Sequence, residues 1–410
     1  MAPAGNFECL QAAIQGGADS VYFGIGHLNM RSHSANNFAP EDLPEITRIC
    51  REAGVKSYMT LNICLYQDDL AAMREALDAA KAAGVDAIIA SDMAAIGYCR
   101  SIGLEVHIST QLNISNIESL KFYSQFADVV VLARELTLPQ VRDIHEAIVR
   151  ENICGPSGSL VRIEMFAHGA LCMAVSGKCY LSLHAYGSSA NRGNCYQICR
   201  RGYEVRDLET GNTLEIDNKY IMSPKDLCTI EFMDRIIEAG VKVFKIEGRA
   251  RSAEYVKRCA QCYRQAADAV CDGNYGPQLA ASLKGSLAEV FNRGFWDGYY
   301  QGARLGEWSK VYGSDASRRK TYCGKVTNWF DRIGVAEITV ESATLRRGDD
   351  LIAIGATTGV VEFKADDLRV NLESAAEAPK GVKCSVALDT SICPDGKLRR
   401  GDKIYLWEKQ

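Results

Sequence analysis

Between Phe166 and Arg200 the chain reads FAHGALCMAVSGKCYLSLHAYGSSANRGNCYQICR, which places four thiols, Cys172, Cys179, Cys195 and Cys199, on one short stretch. Six, fifteen and three residues separate them, amid Gly, Ser and Asn, as in a loop that folds around one centre. Thiolates bind soft metals and iron–sulfur clusters. A structural zinc site would show two tight C-x2-C knuckles, and disulfides would need an oxidising compartment. Unrelated buried thiols, packing as small hydrophobes, are the bland alternative. The pattern puts a metallocentre first, with iron–sulfur ahead of zinc. Cys228, in SPKDLC, is an alternative fourth ligand in place of Cys199. His168 opens the loop and reads either as a proton donor or as a hydrogen-bonding brace.

The elements that must position this loop are short apolar strands alternating with amphipathic helices, from Met1 to about Val270. Strands are expected at Asp19–Gly24, Lys56–Ile63, Val85–Ser91, Glu105–Thr110, Asp128–Ala133, Leu160–Ala167 and Val241–Glu247. The opening MAPAG reads as the end of a first strand whose beginning is missing. Phrases such as AGVKSYMTLN and AGVDAIIASD repeat a helix-ending glycine followed by a strand. Eight such units describe a (β/α)8 TIM-type barrel with the cysteine-rich loop after strand seven. A doubly wound open sheet would call for a G-x-G-x-x-G turn after the first strand, and none is there.

In such a barrel the working side chains sit at the C-terminal ends of the strands. That rule selects Arg31, Asn62, Asp92, Gln111, Arg134, His168, Glu247 and Arg249. Lys245 and Glu247 alternate with Phe244 and Ile246 on the last strand, and charges pointing into a barrel are costly unless used. We therefore assign His168, Lys245 and Glu247 to catalysis, and Arg31, Asn62, Arg134 and Arg249 to substrate binding. The competing reading is that strand-end Arg and Glu simply pair with each other. No H-E-x-x-H and no G-x-S-x-G occurs, so metalloprotease and serine-hydrolase chemistry lack their motifs.

A β-hairpin is expected between Arg200 and Asn218, turning at Thr210-Gly211-Asn212. Residues 312–320 read as a linker. Alternating segments over 321–410, separated by Arg347-Gly348-Asp349 and Arg400-Gly401-Asp402, predict a small closed all-β barrel. The domains are thus 1–311, 312–320 and 321–410. A net charge of −4 over 410 residues leaves nucleic-acid binding to local patches, such as Arg200-Arg201, Arg318-Arg319-Lys320, Arg346-Arg347 and Arg399-Arg400. Tyr186 and Tyr196 are candidate base-stacking residues. Sixteen cysteines without a secretion signal point to the reducing cytoplasm, and no apolar run approaches a membrane span. A homo-oligomer is compatible with all of this.

The motifs FAHGALCMAVSGKCYLS, NRGNCYQICR, MSPKDL and VFKIEGRARSAEYV, with the opening APAGNFECLQAAIQGGADSVYFG, resemble the collagenase-like peptidase family U32 along essentially the whole chain. Within that family the pattern is most similar to proteins that hydroxylate the wobble uridine of tRNA using prephenate. Other members hydroxylate a ribosomal RNA cytidine or act in ubiquinone synthesis. The resemblance implies a [4Fe–4S] cluster on Cys172, Cys179, Cys195 and Cys199, a small dicarboxylate donor, and tRNA or ribosomal RNA as partner. It also implies a translation-factor-like C-terminal β-barrel, with peptidase action as the alternative activity.

Overall fold

A computed structural model describes residues 1–211, 213–214, 222–302 and 306–410. Seven strands pair in sequence order and in parallel: β1 (Ala2–Pro3), β2 (Ser20–Gly24), β3 (Lys56–Leu61), β4 (Ala87–Ala90), β5 (Glu105–Ile108), β6 (Val129–Val131) and β7 (Arg162–Ala170). The eighth, β8 (Val241–Ile246), lies parallel to β7. Its Ile246 N–H donates to the Met1 carbonyl at 3.1 Å, which brings the last strand back to the first. The chain therefore forms the expected α/β domain with a parallel sheet of the TIM-barrel kind. Strands such as β4 (AIIA) and β6 (VVV) are buried at every residue because both faces are covered. Two helices, α1 (Leu70–Ala83) and α2 (Met93–Ile102), end at Gly84 and Gly103 with φ of +77° and +71°. In that left-handed conformation glycine carries no steric cost, and the chain turns directly into the next strand.

Strand β7 runs past its expected end at Ala167. Its last residues pair antiparallel with Asp226–Cys228, in the register Ala170–Asp226, Gly169–Leu227 and His168–Cys228. Asp226–Cys228 in turn pairs in parallel with Phe295–Trp296. This extension holds the return from the cysteine loop against the barrel mouth. Within the loop's insertion, Val205–Arg206 pairs antiparallel with Thr213–Leu214. Asn212 and residues 215–218 of the expected hairpin lie outside the described residues.

The C-terminal region is an eight-stranded antiparallel sheet. Its first strand, β9 (Arg318–Phe330), begins inside the stretch expected to be linker. β10 (Val335–Val340), β11 (Asp350–Gly355), β12 (Gly359–Lys364), β13 (Leu368–Val370), β14 (Lys383–Ala387) and β15 (Lys403–Lys409) follow. The spatial order is β12-β11-β15-β9-β10-β14-β13, with Glu373–Ser374 at the far edge. β12, at one end, and β13, beside the other, are consecutive in the chain and joined by residues 365–367, so the sheet curls around its own core of Cys323, Val326, Ile338, Leu351, Val386 and Leu406 as the expected C-terminal all-β unit. Register shifts at Tyr322/Gly324 and Val326/Asn328 mark β9, and bulges bend a strand. The sheet docks on the first domain. The Gln15 side chain donates to Thr358 O at 2.8 Å and accepts from Val360 N at 2.9 Å, and Lys320 pairs with Glu254 at 2.8 Å.

Inside the barrel, Lys245 on β8 and Glu164 on β7 form a buried ion pair at 2.7 Å. One Glu164 oxygen, Oε2, has no hydrogen-bond partner among the described residues. Removing one member of such a pair strands the other charge in low dielectric, at a cost of roughly 3–5 kcal/mol. Lys245→Met should therefore lower the urea midpoint sharply, and adding Glu164→Leu should recover most of the loss. Equal stability of the single and double variants would contradict a coupled pair.

Candidate active site at the barrel mouth

A cavity of about 150 Å³ opens at the C-terminal ends of the strands. Of the residues singled out by sequence, Arg31, Asn62, Gln111, Arg134, Lys245, Glu247, Arg249, Cys172, Cys195 and Cys199 line it. Arg200, named above only in a basic pair for phosphate contact, lines it as well, with two further cations, Arg251 and Arg293. The strand-end rule could not find these, because they come from the cysteine loop, the segment after β8 and the segment beyond the barrel. Their motifs, NRGNCYQICR, KIEGRAR and NRGFWDGYY, were nevertheless visible in the sequence.

The cations outnumber their partners. Arg31 donates from Nε and Nη2 to Glu247 Oε1, at 3.0 and 2.7 Å. Arg251 and Arg293 share the buried Asp226, at 3.7 and 3.3 Å. Among the described residues, no carboxylate lies within ion-pair distance of Arg134, Arg200 or Arg249. Arg249 is buried and donates only to neutral oxygens, Asn29 Oδ1 at 2.9 Å and Thr60 Oγ1 at 2.8 Å. Burial pulls its guanidinium down to about 10. Arg200 donates to Leu171 O at 2.7 Å and Ser223 Oγ at 3.1 Å, and burial lowers it too. Arg134 stacks 3.8 Å above the Phe166 ring. Burial by itself would raise Glu247, but the charges of Arg31, Arg134 and Arg249 override it and hold the carboxyl at about 2.

The cysteine loop is clamped to the rim. Arg192 ion-pairs with Asp69, donates to Cys64 O at 2.8 Å and lies 4.2 Å over the Tyr66 ring. Gly193 (φ +84°) packs so closely that a Cβ there would sit 2.2 Å from Ser32 Oγ. Tyr196 contacts His33 and Tyr186, with ring centroids at 4.5 and 4.8 Å. Burial, helped by the neighbouring Cys172, Cys195 and Cys179 and opposed by Arg200, raises the Cys199 thiol to about 11. Among the described residues, no three His, Cys, Asp or Glu side chains are drawn together as around a single metal ion. A four-iron cluster takes each thiolate on a separate iron, and this donor set suits it.

Several candidates sit elsewhere. Cys228 is buried in the wall, with its sulfur 3.9 Å from Tyr263 Oη. Asp92 caps α2, accepting from Ala94 N at 2.9 Å. Cys179 does not line the cavity. His168, assigned to catalysis from sequence, is placed behind the wall instead, packed among Tyr255, Tyr263 and Phe295. Its Nδ1 lies 3.3 Å from Tyr263 Oη, and burial lowers the ring to about 4. Of the basic runs, Arg318, Arg319, Lys320, Arg346 and Arg399 all have carboxylate partners.

The His168 shift has a signed consequence. A folded-state value below the ordinary 6.5 means that the unfolded chain takes up the proton first. Stability from this ring is complete above about pH 6.5 and is lost as pH falls towards 4. The fall in urea midpoint from pH 7 to pH 5 should be shallower in His168→Phe than in the parent. An identical slope would remove His168 as its source.

The chain is 59% identical over 403 residues to a protein named "Collagenase" from Porphyromonas gingivalis (strain W83), covering 98% of this chain and 97% of the relative. A second Porphyromonas gingivalis "Collagenase" is 51% identical over 369 residues, 88% of this chain and 99% of that one. The "tRNA hydroxylation protein P1" of Bacillus subtilis is 32% identical over 415 residues, 98% and 94% of the two chains. The model of Peptidase family U32 matches residues 5–310, which take in strands β2 to β8 and the cysteine loop. The chain belongs to peptidase family U32.

Proposed function

We propose that this chain is an iron–sulfur RNA-modifying enzyme that hydroxylates a uridine of tRNA, the wobble position by resemblance, with a small prephenate-like dicarboxylate as donor. The observation that carries this reading is the cavity, where Arg134, Arg200 and Arg249 have no carboxylate partner among the described residues and Cys172, Cys195 and Cys199 stand beside them. Guanidiniums without counterions at one cavity suit a ligand that brings two carboxylates. Cys172, Cys179, Cys195 and Cys199 would hold a [4Fe–4S] cluster, which supplies electron transfer or an open iron site for the oxygen donor. Arg249 and Arg134 would orient the dicarboxylate, and the Arg31–Glu247 pair would fix the cavity wall. Lys245 lies 4.8 Å from the Tyr22 ring centroid and can place a proton at the cavity floor. Ribosomal RNA cytidine is the alternative substrate within the same chemistry, and the reducing cytoplasm is the setting that suits free thiols and RNA.

A collagenase-like peptidase is the second reading, favoured by the names of the relatives at 59% and 51% identity. By similarity alone it stands ahead, since the named hydroxylation protein is at 32%. The chemistry of the cavity favours it less. The Cys199 thiol at about 11 is protonated at neutral pH, and His168 does not line the cavity as a partner base.

One comparison separates the readings. RNA from cells carrying the wild-type chain, Cys172→Ala or Arg249→Met is digested to nucleosides and analysed by mass spectrometry, and the purified proteins are incubated with gelatin. The account expects loss of the hydroxylated nucleoside with Cys172→Ala and a fall of roughly tenfold or more with Arg249→Met. Circular dichroism should be unchanged and no gelatin cleaved. Gelatin hydrolysis that survives Cys172→Ala, with unaltered nucleosides, would make the peptidase reading the correct one.

A further inference from the structure

Arg249 is held through one nitrogen alone. Its Nη1 donates to Asn29 Oδ1 at 2.9 Å and to Thr60 Oγ1 at 2.8 Å, which uses both hydrogens of that nitrogen. Each of the two oxygens is fixed as an acceptor. Asn29 is fully buried, and its amide nitrogen donates to Gly26 O at 3.1 Å and lies 3.5 Å from Ile25 O, so the amide oxygen must face the other way. That oxygen also accepts from Arg31 N at 3.1 Å. The Thr60 hydroxyl spends its hydrogen on Phe23 O at 2.9 Å and has only lone pairs left for Arg249. Two glycines make the room: a Cβ on Gly24 would collide with Arg249 Nη1, Asn37 Oδ1 and Asn29 Cγ, and one on Gly5 with the Arg249 carbonyl oxygen.

The other two nitrogens, Nε and Nη2, find no acceptor among the described residues. Neither is sealed from solvent as Arg134 Nε is, and Arg249 lines the main cavity. Together they form the side-on edge of the guanidinium, whose two parallel N–H groups match the two oxygens of one carboxylate. Arg31, in the same cavity, already turns its own Nε–Nη2 edge to Glu247. The charge of Glu247 reaches Arg249 as well, but its carboxylate is engaged by Arg31. We infer that the Nε–Nη2 edge of Arg249 is a subsite for one carboxylate of the donor, and that Asn29 and Thr60 are positioning residues that hold this edge towards the cavity; this rests on the dicarboxylate reading above. Both holders are neutral, so they orient the guanidinium without cancelling its charge, as a carboxylate in either place would.

The test is isothermal titration calorimetry of prephenate into the full-length chain purified without oxygen. Wild type, Arg249→Lys, Asn29→Ala and Thr60→Val are compared, and the last two are repeated in the Arg249→Lys background. Lys keeps the charge and removes the two-hydrogen edge. Val keeps the shape of Thr60 and removes its oxygen, without touching Arg31. Arg249→Lys should weaken binding about tenfold or more, and Asn29→Ala and Thr60→Val each about threefold to tenfold. In the Arg249→Lys background neither should cost anything further, because both act through the guanidinium. Losses that persist in full in that background, or variants that bind as tightly as wild type, overturn the subsite and leave the dicarboxylate reading standing. No prephenate binding by folded wild type overturns the dicarboxylate reading and the subsite with it.

Discussion

The structure turns on an excess of positive charge held at the mouth of a barrel. Arg31, Arg134, Arg200, Lys245, Arg249, Arg251 and Arg293 face one cavity, and among the described residues only Glu164, Glu247 and Asp226 answer them at ion-pair distance. A desolvated charge costs several kcal/mol when nothing compensates it. Arg249, buried and bonded only to an amide and a hydroxyl oxygen, is the sharpest case. A fold built for stability alone would pair or expose these groups. Their persistence is best understood if an anion completes them.

The architecture supplies that arrangement from several directions. Strand β8 delivers Lys245 and leads directly into Glu247 and Arg249, while the loops after other strands bring Arg31 and Arg134. The cysteine loop adds Arg200 together with Cys172, Cys195 and Cys199. Its seat depends on Arg192 gripping Asp69 and on a close approach at Gly193 that no side chain could share. Behind the wall, the extension of β7 pairs with Asp226–Cys228, which puts the Asp226 carboxylate where Arg251 and Arg293 need it. His168 belongs to this supporting layer as a neutral ring among aromatics.

Much of this was legible in the residues. The periodic strands, the glycine-ended helices and the clustered thiols lead to a parallel barrel with a loop over its mouth, and nearly all of the strand-end cations do line one cavity. What was not legible depended on contacts distant in sequence. Asp92 looks identical to a site residue until its side chain is seen capping a helix. His168 stands at a strand end like the others, but its side chain turns outward against Tyr255 and Tyr263. Arg251 and Arg293 gain meaning only through Asp226, which no local pattern connects to them.

The central claim is that the four thiols and the surrounding cations form one redox-capable centre. Iron and acid-labile sulfide should be measured on protein purified without oxygen, together with its absorption spectrum. The account predicts about four irons and four sulfides per chain, with a broad band near ~400 nm that Cys172→Ala removes. Protein that contains no iron, or one tightly held zinc, would contradict it and place the peptidase reading first.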